Sequence, residues 1–256
     1  QDSMLVYASY ATGFRPGNVN NNMEFYALQY EGLGLEDPGF RNDLYFEGDE
    51  VSSYELGMKV GFLDDRISLS YAGYFVDWED MLVYEIHPLS PDTYNNNSGG
   101  AEIKGVELEL NAFVTDNFVI RLAGDLTSSE VTETAPGERV DPRVVQLGNE
   151  LRFAPKNSVS LSLDYSMPMD NGWTVDFHLD NAWVSKQYVD AANSITIPSY
   201  DKMNARVTMR SDAESWRFAL FATNLNNDES LRSKDQVGTL FWHSPRQVGL
   251  DIGYDL

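Results

Sequence analysis

The last nine residues, Val248-Gly-Leu-Asp-Ile-Gly-Tyr-Asp-Leu256, decide the fold class, because apolar residues alternate in them without a break with glycine and aspartate. Successive side chains of a β-strand point to opposite faces of the sheet. Val248, Leu250, Ile252, Tyr254 and Leu256 would therefore share one face, and the glycines and aspartates would share the other. The stretch predicts a strand with one apolar and one polar face.

The same alternation recurs along the whole chain in about ten segments. They lie near residues 4–14, 49–62, 66–76, 101–114, 117–127, 157–166, 172–182, 202–210, 215–224 and 248–256. Short links at 63–65, 115–116, 170–171 and 212–214 alternate with long ones at 15–48, 81–100, 132–149 and 189–198. Strands that can cross a bilayer, joined by short turns on one side and long loops on the other, are typical of outer-membrane barrels. The pattern predicts an all-β fold, a transmembrane antiparallel up-and-down β-barrel, with its long loops outside the cell.

Composition agrees with this fold and excludes other classes. The net charge of −22 over 256 residues argues against binding to nucleic acid, whose phosphates need basic partners. The mean hydropathy of −0.37 is compatible with a membrane barrel, because only alternate residues of its strands face lipid. Without cysteine the chain can form neither a disulfide framework nor a thiolate metal site.

Several motifs, taken in chain order, resemble the C-terminal barrel of TonB-dependent outer-membrane receptors. These motifs are Tyr7-Ala-Ser-Tyr-Ala-Thr-Gly-Phe-Arg-Pro-Gly17, Ser53-Tyr-Glu-Leu-Gly-Met-Lys59 followed by Asp65-Arg-Ile-Ser-Leu, Asn97 with Ala101-Glu-Ile-Lys-Gly-Val-Glu-Leu-Glu109, Pro155, and Asn224-Leu225. One departure is the final Leu256, where such barrels usually end in phenylalanine.

The resemblance implies a barrel of about 22 strands whose lumen holds a plug domain. The chain supplies about ten strands and no segment like the plug or the TonB-binding box. Ten strands of such a barrel would leave two unpaired edges in lipid. We therefore expect residues 1–256 to be the C-terminal segment of the barrel, without the plug domain and the N-terminal strands.

The resemblance also implies a location, a function and partners. The location is the bacterial outer membrane, whose lipid surrounds the barrel. The function is active uptake of a scarce, bulky ligand such as a ferric siderophore or a carbohydrate, energised by the TonB complex through the missing plug. No enzymatic activity, cofactor or metal site is predicted.

The long loop 15–48 is the strongest candidate for ligand contact. It holds six acidic and six aromatic residues, and unstructured loops of this length are often functional. Aromatic side chains there could stack on a planar ligand; the alternative is a lid packed against neighbouring loops. The candidate contacts are Tyr26, Tyr30, Phe40, Tyr45 and Phe46.

A second set of candidate residues faces the lumen. Asp176, His178 and Asp180 share one face of a strand and could bind a metal ion as a carboxylate–imidazole–carboxylate row. A symmetric placement of the 189–198 loop instead sets Asp180 opposite Arg206 and Asp176 opposite Arg210, which favours a ladder of cross-strand ion pairs. Arg217 would then lie beside Arg210. Glu107 and Glu109 are also predicted to face inward, against the plug or the water of the lumen.

Two alternatives remain, and both need a barrel that closes by itself. One is a ten-stranded enzyme resembling the omptin proteases, with catalytic acids around His87 or His243; the other is a structural or adhesin barrel. Both predict pairing of strand 4–14 with strand 245–256. Aromatic residues near the outer strand ends are interpreted as a membrane-interface belt. They are Trp78, Tyr84, Trp183, Tyr188 and Trp242.

Overall fold

The computed structural model describes residues 3–86, 93–134, 146–211, 215–234 and 239–254. In chain order its strands are β1 (Ser3–Arg15), β2 (Asn18–Val19), β3 (Tyr45–Phe46), β4 (Asp49–Phe62), β5 (Ile67–Ile86), β6 (Thr93–Thr115), β7 (Phe118–Thr134), β8 (Asn157–Pro168), β9 (Thr174–Val184), β10 (Gln187–Tyr188), β11 (Thr196–Ile197), β12 (Tyr200–Arg210), β13 (Trp216–Thr223), β14 (Leu231–Lys234), β15 (Leu240–Trp242) and β16 (Gln247–Tyr254). Helix α1 (Asn21–Gly32) and a 3-10 helix (Phe40–Asp43) lie between β2 and β3. No described helix is long and apolar enough to cross a membrane.

The ten long strands form one antiparallel sheet in the order β1-β4-β5-β6-β7-β8-β9-β12-β13-β16. Each strand pairs with the next long strand of the chain, so the predicted all-β, up-and-down arrangement of about ten strands is confirmed. The short pairs β2–β3, β10–β11 and β14–β15 lie within the long connections. β5 and β6 have 20 and 23 residues and take up most of the segment 81–100, which the sequence had predicted to be a loop.

The apolar face of the sheet is exposed. In β16, for example, Val248 and Leu250 are each 67% exposed and Ile252 is 59% exposed. A water-soluble sandwich would cover such a face with a second layer, whereas lipid covers it in a membrane barrel. Buried apolar residues cluster instead at the outer ends of the strands and in the connections there. They are Met23, Ala27, Phe40 and Tyr94 in one cluster, and Met81, Val83 and Ala101 in another.

On the polar face, aromatic rings pack over glycines of the neighbouring strand. Tyr74 lies opposite Gly105, and a Cβ atom on that glycine would come within 2.5 Å of both the Tyr74 hydroxyl oxygen and the Leu126 carbonyl oxygen. The same arrangement brings Tyr7 over Gly57 and Phe221 over Gly249. Such pairs restore packing where glycine leaves a strand without a side chain.

The sheet is open at both edges. β1 pairs with β4 and β16 pairs with β13, and these two strands end the order of the sheet. Residues 3–15 and 247–254 therefore show no sign of the closing pair that a self-contained ten-stranded barrel requires.

Candidate functional site

The loop between β1 and β4 is folded, so the expectation of an unstructured loop is wrong. Its helix α1 contains no proline or β-branched residue, and it buries Met23 and Ala27, which are four residues apart and share one helix face. These two side chains pack with Phe40 of the 3-10 helix and Tyr94 of β6. The loop is therefore packed against β6, as the alternative of a lid predicts, and ligand contact by its exposed residues stays a prediction.

The aromatic residues of the loop range from fully buried to largely exposed. Phe40 is fully buried, with its ring centre 5.3 Å from that of Tyr26 and 5.5 Å from that of Tyr30. Phe40 therefore belongs to the core of the loop, and the prediction of ligand contact is wrong for it. Tyr45 is 72% exposed, and Phe25, an aromatic residue of the loop that is not among the predicted contacts, is 56% exposed.

The remaining candidates lie between these extremes. Tyr26 and Tyr30 are partly buried against the loop core, and Phe46 is half-buried where β3 pairs with β2. Ligand contact by these three residues and Tyr45 stays a prediction.

Two asparagine side chains fix this loop to β6. The Asn20 carboxamide accepts from the Asn95 N–H at 3.0 Å and donates to the Asn95 carbonyl at 2.9 Å. Asn97 binds Glu47 in the same way, accepting from its N–H at 2.7 Å and donating to its carbonyl at 3.1 Å. Each carboxamide thus replaces a backbone partner, as in a strand pair.

Two further asparagines repeat this geometry in the other outer connections. Asn193 accepts from the Glu150 N–H at 2.7 Å and donates to the Glu150 carbonyl at 2.9 Å. Asn224 does the same to Asp228 at 2.8 and 2.9 Å, and also donates to the Ser244 carbonyl at 2.9 Å. We call Asn20, Asn97, Asn193 and Asn224 the asparagine clamps. They hold the loops at the outer end of the sheet in defined positions.

Carboxylates organise the same loops. Burial by itself would raise the pKa of Asp190, but the Ser194 hydroxyl and the Ile195 and Ser194 N–H groups donate to its carboxylate and hold the pKa below the ordinary 3.8. Burial would also raise the pKa of Asp37, but backbone N–H groups that follow α1 donate to its carboxylate and lower the pKa instead. Both carboxylates are therefore charged at neutral pH and stabilise their turns.

The register between β9 and β12 differs from the predicted one. Arg206 lies opposite His178, two residues from the predicted partner Asp180, and Arg210 is likewise two residues away from Asp176. The symmetric placement of the intervening loop was therefore wrong. The five residues still share the polar face, because a shift of two residues keeps every side chain on the same side of a sheet.

Ion pairs nevertheless cross the strands diagonally. The Arg210 Nε atom donates to Asp176 at 2.8 Å, which confirms that pair. Arg206 binds Asp251 of β16 at 2.9 Å, so its predicted pairing with Asp180 is wrong. Arg217 lies opposite Arg210 as predicted, and it also approaches the Asp251 carboxylate at 3.5 Å. The like charges of the two arginines are thus separated onto two carboxylates.

His178 lies between two carboxylates, one on its own strand and one on β8. Its Nδ1 and Nε2 atoms lie 2.7 Å from Asp164 and 3.2 Å from Asp180. Asp164 also binds Arg121 of β7, and Asp180 accepts from Asn204 at 2.7 Å. These contacts form a cross-strand chain, and the parts of the sequence the structure describes contain no group of three or more acidic or histidine residues that could hold a metal ion.

Glu107 and Glu109 lie on the polar face of β6 and are exposed. Glu109 accepts a hydrogen bond from Asn111 at 3.0 Å. Further along the same face the Tyr7 hydroxyl donates to Glu55 at 2.5 Å. Contact of these carboxylates with a plug stays a prediction.

The histidines and aromatics near the outer rim have varied surroundings. His87 lies outside the described residues, and the His243 ring packs on Tyr200 with 4.7 Å between ring centres. Trp78 donates to the buried Asp49 carboxylate at 2.8 Å, so a place in the lipid-facing belt is wrong for it. Trp242 is 61% exposed.

Comparison with known proteins identifies this arrangement of strands and loops. Residues 1–227 match the family model described as "TonB dependent receptor-like, beta-barrel". The chain is 26% identical over 204 residues to the "Probable TonB-dependent siderophore receptor PiuA" of Acinetobacter baumannii. This alignment covers 78% of this chain and 25% of that protein. The chain is also 25% identical over 175 residues to the "Ferrioxamine receptor" of Yersinia enterocolitica, and this alignment covers 64% of this chain and 22% of that protein.

Solved structures share the fold. The ferric yersiniabactin uptake receptor FyuA of Yersinia pestis superposes with a TM-score of 0.74 at 18% identity, over 99% of this chain and 35% of that one. The siderophore receptor PiuA of Acinetobacter baumannii superposes with a TM-score of 0.72 at 23% identity, over 98% and 34%. The chain spans about a quarter of the length of the curated relatives it matches. Because the family model covers most of its residues, the chain belongs to the TonB-dependent receptor family and forms part of an outer-membrane β-barrel.

Proposed function

We propose that this chain is the C-terminal part of the barrel of a receptor that takes up a ferric siderophore across the outer membrane. The observation that carries the proposal is the match to curated siderophore receptors, which extends over 64–78% of the chain. The fold supports it, because a wall with an apolar outer face, a polar inner face and folded outer loops suits a receptor that admits a ligand from outside.

We also propose that the rest of the receptor supplies a plug domain and about twelve further strands, to complete a barrel of about 22. The unpaired outer edges of β1 and β16 support this, since open edges in lipid leave backbone groups without hydrogen-bond partners. The greater length of the curated relatives supports it too. In this proposal Glu107, Glu109 and the cross-strand network of His178 face the plug.

The receptor is proposed to work without enzymatic chemistry in this segment. Energy would reach the receptor from TonB through the plug, while the barrel forms the wall and the outer loops contact the ligand. Tyr26, Tyr30, Tyr45 and Phe46 remain the proposed contacts, and we add the exposed Phe25 to them.

Uptake of radioactive iron by a strain that expresses the full-length receptor and lacks its other siderophore receptors tests this proposal. Ferrioxamine is the first substrate to try, because one relative is a ferrioxamine receptor. The expected result is saturable uptake of at least one ferric siderophore that disappears in a strain without TonB. Uptake of only a carbohydrate or a corrinoid, or uptake that does not need TonB, would contradict it.

A further inference from the structure

Three basic residues lie near one another at the outer end of the polar face, close enough for their charges to act on one another. Lys202 belongs to the same face of β12 as Arg206, four residues nearer the outer end. Arg232 lies on β14, and His243 directly follows β15. The backbone N–H of His243 donates to the Ser230 carbonyl at 3.2 Å, next to the beginning of β14, and the imidazole packs on the ring of Tyr200 at the beginning of β12. In a chain with a net charge of −22, such a group of basic residues is unusual.

Among the described residues, the positive charges of this group are only partly balanced. Within the residues that the structure describes, neither Lys202 nor Arg232 makes a hydrogen bond or an ion pair through its side chain. Asp228 is the acidic residue that acts on Lys202 and His243. Its carboxylate already accepts from the Asp201 and Ser230 N–H groups, at 3.0 and 2.7 Å.

The imidazole of His243 supplies a second, independent observation. Its Nε2 atom is buried and has no hydrogen-bond partner, although buried polar atoms of proteins almost always have one. Burial lowers the pKa of His243, and the charges of Lys202 and Arg232 lower it further against the opposing charge of Asp228. An anion placed among the three side chains would give this nitrogen an acceptor and would neutralise the two cations.

We propose that Lys202, Arg232 and His243 form an oxyanion-binding site for a carboxylate or phosphate group of a soluble ligand. Lysine and arginine bind such groups through charge-assisted hydrogen bonds, and a neutral imidazole adds a donor when Nε2 carries the proton. The site rests on the proposed function, because it assigns an anionic group to the transported ligand. Lys202 lies on the polar face, opposite to the lipid side, so the headgroup of a surrounding lipid is not the expected occupant.

The test is isothermal titration of the full-length receptor, purified in detergent, with citrate and with inorganic phosphate as probes. K202Q and R232Q each remove one charge from the site. K186Q is the matched control, because Lys186 also lies in an outer connection and contacts the ring of Tyr188 instead. We expect saturable binding of at least one probe, weakened about tenfold or more by K202Q and by R232Q, and changed less than twofold by K186Q. Circular dichroism and heat-dependent gel mobility check that every variant is folded.

Other outcomes overturn the proposal. It fails if the wild-type receptor binds neither probe, or if folded K202Q and R232Q bind as tightly as the control. Purified lipopolysaccharide is titrated as well: if it competes with citrate and its dephosphorylated form does not, the site belongs to lipid and the assignment to a soluble ligand is wrong. Failure of the proposed function has a different result, in which both substitutions weaken probe binding but the receptor transports no ferric siderophore.

Discussion

Replacement of Asn224 tests whether the asparagine clamps hold the outer loops in place. Asn224 is 4% exposed, and its carboxamide makes three hydrogen bonds, two with the backbone of Asp228 and one with the Ser244 carbonyl. Its backbone is in the left-handed region, with a φ of 50°. Asn224→Ala therefore removes three bonds and forces a residue with a Cβ atom into a conformation that asparagine tolerates better.

The magnitude follows from these two effects. Each bond contributes about 1 kcal/mol net, so their loss costs about 3 kcal/mol. The left-handed backbone adds about 1–2 kcal/mol for alanine. Asn224→Gly loses the same three bonds without this backbone strain, so the glycine variant should be the less damaged by about 1–2 kcal/mol.

Amide hydrogen exchange of the full-length receptor in detergent measures the effect, because exchange reports the free energy of local opening. The loss of about 3 kcal/mol in Asn224→Gly corresponds to exchange about a hundredfold faster in the segment 224–246, and the loss of about 4–5 kcal/mol in Asn224→Ala to exchange about a thousandfold or more faster. Exchange in the sheet should stay unchanged. Asn171→Ala is the control: its carboxamide accepts one bond, from the Trp173 N–H, in a turn at the other end of the sheet.

The reasoning is refuted if exchange in 224–246 changes by less than tenfold in both Asn224 variants. Equal effects of Asn224→Ala and Asn171→Ala on that segment would refute it as well, since the loss would then not be local. A glycine variant that is worse than the alanine variant would contradict the assignment of backbone strain.

Three further predictions follow from single contacts. Gly105→Ala should strongly reduce the yield of folded receptor, because the new Cβ atom would press on the Leu126 carbonyl. Gly73→Ala should fold normally, because no neighbouring atom lies closer than 3.9 Å to its Cβ position. Heat-dependent gel mobility compares the two yields, and equal yields would contradict the described packing. Phe40→Ala should destabilise the core of the loop by about 3–5 kcal/mol and make proteolysis of the loop faster. Tyr45→Ala should weaken ligand binding and leave the rate of proteolysis unchanged. Faster proteolysis in Tyr45→Ala but not in Phe40→Ala would show that the two roles are misassigned. The pKa of Asp190 is lower in the folded state than its ordinary 3.8, so the charged carboxylate stabilises its loop above pH 3.8. This stabilisation is lost as the pH falls through the pKa of the folded state, and pepsin cleavage of the loop should therefore rise below about pH 3.8. Cleavage that does not depend on pH would contradict the role of Asp190.

The strands were predictable because their signal is local. The alternation that ends in Val248 and Leu250 depends on neighbouring residues alone, and the same holds for the other nine long strands. The helix inside the loop 15–48 has a weaker local signal, the four-residue spacing of Met23 and Ala27, and it lies among aromatic residues that equally suit ligand contact.

The register and the clamps could not be predicted in the same way. The pairing of β9 with β12 depends on how the connection between them folds, and the short pair β10–β11 makes that connection asymmetric. With this register Arg206 binds Asp251, which is 45 residues further along the chain, instead of Asp180. Asn193 and Asn224 look like ordinary turn residues in the sequence, because their partners are brought to them only by tertiary structure.

The central claim is that these ten strands are one portion of a larger receptor barrel. Its most direct test is the intact mass of the polypeptide that carries this sequence, extracted from outer membranes. The account predicts a mass several-fold greater than the 28.9 kDa of this chain, as expected for a barrel with its plug. A mass of 28.9 kDa would contradict it, because the strands β1 and β16 would then have to close the barrel by themselves.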